Sequence, residues 1–93
     1  MKPENCELCG SGNDELDFHH LIPRTLHSTK WFEKRYTKEY MKSNGIWICK
    51  DECHPQIHDL ITEKEMGRTY NTLELLREHP EVKKYVEWRS KRI

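Results

Sequence analysis

The sequence predicts a single small α+β domain, residues 1–93, with a helical C-terminal tail. Two short strand-like stretches, residues 16–21 and 46–48, are rich in β-favouring side chains and are bounded by turn-forming residues. From residue 55 onward, apolar residues recur at helical spacing and prolines stand only where a helix can begin. Ninety-three residues leave no room for a second domain.

The composition predicts that this domain needs cross-links, either disulfides or a bound metal, to be stable. Leu, Ile, Val and Phe together number eighteen, about 19% of the chain, and the net charge is zero. A chain this small with so thin a core usually depends on disulfides or a metal. No apolar run reaches membrane-spanning length, and residues 1–8 lack the apolar stretch of a signal peptide. We therefore expect no membrane partner and a cytoplasmic location, where cysteines at metal spacing are ligands rather than disulfides.

One helix is predicted between the two strands. Ser28 is expected to cap it, and Trp31, Phe32 and Tyr36 follow helical spacing, which is typical of core residues. Residues 37–41 either continue this helix or start another turn. The sequence Asn-Gly that follows is a turn signal ahead of the second strand.

The remaining helices are predicted from prolines and a capping pattern. Pro55 suits the first turn of one helix, and Pro80 suits the first turn of the last helix. Asn71, with Glu74 three residues later, resembles a capping box. Together these signals make residues 62–93 a helical tail.

The zero net charge conceals two basic segments. Residues 24–42 carry six Lys or Arg against two acidic residues, and residues 82–93 carry five against one. Solvated helix faces commonly produce such runs, whereas two basic segments on one side of the fold would bind a polyanion. The candidate nucleic-acid-binding residues are Arg24, Lys34, Arg35, Lys83 and Lys84.

The four cysteines predict a structural zinc site. Cys6 and Cys9 stand three apart, Cys49 and Cys53 four apart, and both spacings occur in tetrahedral zinc sites. All four are paired at chelate spacing and none is left over. One alternative exchanges a cysteine for the adjacent His54, but the all-cysteine set leaves that histidine free for a second site.

A second metal site is indicated by the histidines. His54 and His58 are four apart on a predicted helix, so both project from one face. His19 and His20 are consecutive on a predicted strand, whose side chains alternate between faces. Either one of them joins the metal while its neighbour points elsewhere, or the strand end bends near Pro23 so that both line one cleft.

The motif order Cys-x-x-Cys, His-His-Leu-Ile-Pro, Asn, Cys, Cys-His, His resembles the HNH nucleases of bacteria and phages. The resemblance covers residues 6–58, and similar small HNH proteins also share residues 19–36 and 70–88. It implies a ββα-metal core, treble-clef-like and zinc-stabilised, over residues 6–58, with the helical tail attached. The spacing Cys49-x-x-x-Cys53 departs from the two-residue spacing common in the family and would reset the start of the ligand helix.

The resemblance also implies residue roles. His19 looks like the first ligand of a catalytic divalent metal, with His54 and His58 as the others. His20 looks like the general base that takes a proton from the attacking water. Asn44 falls at the family's asparagine, which braces the loop carrying the base. The metal would be Mg²⁺, Mn²⁺, Ni²⁺ or Zn²⁺.

These roles imply a metal-dependent endonuclease that hydrolyses DNA, with duplex favoured over single strand, and that uses a homodimer or an accessory protein to cut both strands. The alternative is a non-catalytic zinc module that binds nucleic acid or protein. That module would need the cysteines and the basic segments but not His20, His54 and His58 together.

Two nearby side chains have plainer interpretations, Asp17 as a strand-edge surface carboxylate and His27 as a solvated loop histidine.

Overall fold

The fold is built on a two-stranded antiparallel sheet. The computed structural model describes residues 2–12 and 14–92. Strand β1 (Leu16–His20) pairs with β2 (Gly45–Cys49), with Leu16 opposite Cys49 and His20 opposite Gly45. Both predicted strands are confirmed. The first ends one residue earlier than expected, and the second is longer by one residue at each end.

The start of β2 requires a glycine. A Cβ atom on Gly45 would lie 2.5 Å from the carbonyl oxygen of His19 and 2.5 Å from the Phe18 ring. The predicted Asn-Gly turn signal lies where the chain passes from helix to strand, because Asn44 follows the last residue of a helix and Gly45 is the first residue of the strand. As predicted, helical structure connects the two strands, within residues 21–44.

The segment after Ser28 forms two helices, one of the two alternatives left open for residues 37–41, and Thr29 rather than Ser28 is the N-cap of the first. Helix α1 (Lys30–Glu33) starts after Thr29, and α2 (Lys38–Ser43) starts after Thr37. Thr37 is extended (φ −73°, ψ 158°), and its hydroxyl accepts the main-chain N–H of Tyr40 at 3.1 Å. This cap explains why a new helix starts here and the first one does not continue.

Helix α3 (Cys53–Leu60) follows β2 after a turn at residues 50–52. Three residues separate Cys49 from Cys53, one more than is common in the HNH nucleases that the sequence resembles. The turn accommodates all three, and the helix begins at Cys53 itself. Pro55 lies in the first turn, as predicted. The helix places Ile57 in the core and leaves His54 and His58 on a less buried face.

The tail consists of three helices, α4 (Glu63–Thr69), α5 (Leu73–Glu78) and α6 (Pro80–Ser90). The capping box predicted at Asn71 is wrong, because Thr72 caps α5 and accepts the N–H of Leu75 at 3.1 Å. The Asn71 side chain instead donates to Gly67 O and Tyr36 Oη. Pro80 opens α6 as predicted.

One hydrophobic core joins the sheet to the tail. It contains residues of β1, β2 and α3 together with Met66, Leu76 and Val82 from the three tail helices. A smaller cluster of Ile22, Phe32 and Met41 lies under α1 and α2. Within the described residues, no helix is long and apolar enough to cross a membrane.

We predict that Gly45→Ala lowers the free energy of unfolding by about 1–3 kcal/mol, because the added methyl group meets main chain that cannot move aside cheaply. Urea unfolding followed by circular dichroism measures this change. Gly12→Ala is the matched control, because a Cβ there meets only the side chain of Asn5, at 3.2 Å. Equal stability of the two variants would contradict the close approach of β1 and β2.

Candidate metal centres and catalytic cleft

Four buried cysteines come together from three parts of the chain. Cys6 and Cys9 lie in an N-terminal turn that is closed by Gly10 at φ 84°, a conformation that favours glycine. Cys49 ends β2 and Cys53 begins α3. All four side chains are free thiols, and their sulfur atoms lie within 4.8 Å of one another. We call this group the cysteine cluster.

The spacing of the sulfur atoms fits a tetrahedral metal such as zinc. Cys6 Sγ lies 3.8 Å from Cys53 Sγ, and Cys9 Sγ lies 3.4 Å from Cys49 Sγ. Zinc–sulfur bonds of about 2.3 Å in a tetrahedron separate neighbouring sulfurs by about 3.8 Å. The backbone N–H groups of Leu8 and Cys9 point at Cys6 Sγ, at 3.4 and 3.3 Å, as in a knuckle that holds a thiolate.

Without a cation these thiols cannot all ionise. The hydrogen bond from Cys53 lowers the pKa of Cys6 to about 4, whereas burial and the contact with Cys9 raise the pKa of Cys49 to about 12. The Cys53 pKa is raised as well, first by its contact with Cys6 and then by burial. A divalent cation in the middle removes this conflict, because it stabilises every thiolate at once.

Helix α6 adds polar groups beside the cysteine cluster. Arg89 Nη2 donates to Asp14 Oδ2 at 2.7 Å, while Arg89 Nε and Tyr85 Oη are buried and have no hydrogen-bond partner among the described residues. Burial alone would lower the Arg89 pKa, but the sulfurs of Cys49 and Cys9 and the Asp14 carboxylate raise it. Unpartnered donors beside four sulfurs fit a tetrathiolate metal site, which carries an excess negative charge.

Three histidines form a second group that can hold a metal. His19 from β1 and His54 and His58 from α3 have ligand nitrogens within 4.8 Å of one another. His54 Nε2 and His58 Nε2 are 3.2 Å apart. Two nitrogens bound to one tetrahedral ion at 2.0–2.1 Å would be about 3.3 Å apart. The helical i,i+4 spacing thus gives the two imidazoles the separation that chelation requires.

Neighbouring groups orient these imidazoles. His54 Nδ1 lies 3.2 Å from Asp17 Oδ2, a contact that favours a proton on Nδ1 and leaves Nε2 free as a ligand. His19 Nε2 lies 2.9 Å from the sulfur of Met66, and a thioether sulfur can only accept a hydrogen bond. The proton is therefore on Nε2, and Nδ1 is the free nitrogen. Burial, followed by the charges of His54 and His58, lowers the His19 pKa to about 3.

Strand alternation separates His19 from His20. His19 is 2% exposed and faces α3, whereas the His20 ring packs edge-on against Phe18 and His27, with centroids 5.0 and 5.8 Å away. His20 nevertheless reaches the same opening at the end of the strand. A cavity of about 150 Å³ lies there, and we call it the histidine cleft. Its lining includes Arg24, Glu63 and four histidines, namely His19, His20, His54 and His58.

The His20 ring is only partly shielded and lies in a positive environment. Burial lowers its pKa, and His27 and Arg24 lower it further, while the main-chain carbonyl of Lys42 acts in the opposite direction. His27 Nε2 lies 2.7 Å from Ile22 O, so His27 is held in place and is not the solvated loop histidine that the sequence suggested. A neutral imidazole beside a metal site can accept a proton from water.

Asn44 connects the end of β1 to the tail. Its main-chain oxygen accepts the N–H of Leu21, the residue after His20, at 3.0 Å. Its side-chain Nδ2 donates to Asn71 O at 3.1 Å. Asn44 therefore contacts the His20 segment through its backbone, and its side chain reaches the connection between α4 and α5.

The structure does not gather the five predicted nucleic-acid-binding residues. Arg24 lines the histidine cleft, but Arg35 stacks on Trp31 at 3.9 Å, and Lys84 lies 4.0 Å from Glu81. Lys34 and Lys83 are exposed and line neither of the two cavities at His20. The larger of these cavities, about 530 Å³, contains Lys38 and Lys42 instead.

Sequence reasoning missed several residues of these sites. Lys38 and Lys42 belong to the basic segment, and their i,i+4 spacing was the signal that placed them on one face of α2. Asp17 is two residues before His19, and strand alternation could have assigned both to one face. Glu63 and Arg89 gave no local signal, because only the packing of α4 and α6 brings them near the metal sites.

A comparison with curated proteins identifies a relative. The uncharacterized protein YisB of Bacillus subtilis (strain 168) is 32% identical to this chain over 83 residues, which are 89% of this chain and 70% of that protein. No protein-family model matches the chain. No solved structure matches it either.

We predict that Arg89→Met weakens zinc binding at the cysteine cluster by about 10–100-fold, because a positive donor beside the thiolates is lost. Competition with a chromophoric chelator measures the affinity, and Co²⁺ substitution gives an independent thiolate absorption band. Arg92→Met is the matched control, since Arg92 stacks on Trp88 at 4.0 Å. Identical zinc affinities of the two variants would show that Arg89 does not stabilise the thiolates and acts only through its ion pair with Asp14.

Proposed function

This chain belongs to the same family as Bacillus subtilis YisB, and we propose that it is a metal-dependent endonuclease of the HNH type that hydrolyses phosphodiester bonds of DNA. One observation carries the proposal. Three imidazoles lie at chelating distance, and a fourth, that of His20, opens into the same cleft. A chain that only bound a partner through a zinc-stabilised surface would have no use for this arrangement.

The division of labour follows from the positions of the side chains. His20 accepts a proton from a water molecule, the water oxygen bonds to phosphorus, and the bond from phosphorus to the 3′ oxygen breaks. His19, His54 and His58 would hold a divalent cation, and when bound it would supply positive charge for the phosphate and for the departing oxygen. The leaving oxygen takes a proton from solvent, so the products carry a 5′ phosphate and a 3′ hydroxyl.

The residues around the histidine cleft serve this reaction by holding groups in place. Asp17 fixes the His54 ring through Nδ1, and Asn44 holds the segment after His20 through the Leu21 N–H. Arg24, whose guanidinium can bind phosphate with two parallel hydrogen bonds, lines the cleft. Neutral ligands leave the full charge of the cation available to an anionic substrate.

The same proposal gives the core a treble-clef-like, ββα-metal architecture with structural zinc at the cysteine cluster. The order knuckle, β1, β2, α3 supports it, since α3 begins at one zinc ligand, Cys53, and continues with the histidine ligands. The structural site is closed by four protein ligands, whereas three histidines leave coordination positions open for water and substrate.

We predict that His20→Ala retains the fold, the zinc and binding of the second metal, but cleaves plasmid DNA about 10²–10⁴-fold more slowly, because the proton acceptor is gone. Nicking is followed on agarose gels with Mg²⁺, Mn²⁺ or Ni²⁺ and with EDTA as the metal-free reference. Equal cleavage by wild type and variant would remove His20 from the mechanism.

We predict a different defect for His58→Ala. This variant should bind the second metal more weakly, and excess metal should restore part of its activity, because two ligands remain. Isothermal titration with the divalent ion separates this loss from a chemical one. His79→Asn is the control histidine variant, because His79 does not line the histidine cleft and asparagine can replace it as the cap of α6. A wild-type protein that binds metal and DNA but nicks under none of these ions would instead be a binding module.

A further inference from the structure

A second cavity adjoins the histidine cleft and is strongly basic. It measures about 530 Å³ and is lined by His20, Arg24, His27, Ser28, Lys38 and Lys42. Three of these side chains are permanent cations and none is a carboxylate. We call it the basic cavity. It shares His20 and Arg24 with the histidine cleft, so these two side chains form the boundary between the two openings.

The cations of the basic cavity have no carboxylate partner within the part of the chain that the structure describes. Among the described residues, no carboxylate lies within 4.0 Å of Arg24, Lys38 or Lys42. Lys38 and Lys42 are also four apart on α2, where two like charges face each other and destabilise the helix slightly. An anion between them would relieve this repulsion.

Phosphate is the anion that this lining suits. Lysines bind phosphate as point charges and arginine binds it through a planar fork, while the Ser28 hydroxyl offers a further donor. A carboxylate ligand would satisfy fewer of these donors. Because the basic cavity shares His20 and Arg24 with the histidine cleft, a phosphate in one and a phosphate in the other can belong to the same strand.

We propose that the basic cavity binds the phosphate next to the scissile phosphate of a polynucleotide strand. This rests on the proposed function, because the histidine cleft must hold the phosphodiester that is cut. Lys38 and Lys42 are then positioning residues, which align the strand so that His20 faces the attacking water. The substrate class is accordingly a polynucleotide with at least two consecutive phosphates rather than an isolated phosphodiester.

The test compares two substrates that differ in the neighbouring phosphate. Bis(p-nitrophenyl) phosphate has one phosphodiester and no neighbour, whereas an oligodeoxynucleotide has many. For Lys38→Gln/Lys42→Gln we expect the ratio of kcat/KM values, oligonucleotide over bis(p-nitrophenyl) phosphate, to fall on the order of 10–100-fold. The dependence of oligonucleotide KM on salt should also become shallower, because fewer counterions are released.

The control is Lys50→Gln/Lys91→Gln, which removes the same charge from residues that do not line the basic cavity or the histidine cleft. An equal fall in the ratio for both double variants would mean that overall charge governs binding, and it would overturn the proposal. An unchanged ratio for Lys38→Gln/Lys42→Gln would overturn it as well. A wild-type protein that cleaves neither substrate would overturn the proposed function itself.

Discussion

The cysteine cluster is the constraint on which the positions of the other functional groups depend. Cys49 ends β2 and Cys53 begins α3, so the clustered sulfurs fix the turn between strand and helix. His54 follows Cys53 directly, so the helix start that the sulfurs define sets the position of His54, and Asp17 then orients its ring. The thin apolar core could not fix this junction alone, because a chain of this size buries too little surface.

A second level of order comes from the pairing of the two strands. Because neighbouring side chains of β1 alternate between faces, Asp17 and His19 are turned toward α3, and His20 packs beside Phe18 instead. Only at the end of the strand does His20 reach the same cleft as the three clustered imidazoles. One strand thus supplies a candidate ligand and a candidate base to one site without competition between them.

The sequence predicted this arrangement well where spacing alone determined it. The cysteine pairs, the i,i+4 histidines and the two strands each follow from local periodicity, and the structure brings these cysteines and histidines together. Local patterns did not decide the outcome where it depended on one polar side chain: they left open whether a new helix starts at Thr37, and they assigned to Asn71 the cap that Thr72 forms. Contacts such as that of Arg89 with Asp14 join residues 75 positions apart, and no local sequence pattern predicts them.

The contact between α6 and the cysteine cluster has a consequence for the order of synthesis. The first sulfur belongs to Cys6, and the guanidinium that lies beside Cys9 and Cys49 belongs to Arg89. During synthesis, the four thiols can come together once Cys53 has left the ribosome. The positive charge of Arg89 can act on the cluster only after α6 has left the ribosome as well. Long-range closure of this kind is slow. The histidine cleft, whose helix α3 begins at Cys53, would therefore reach its final rigidity only after α6 has emerged.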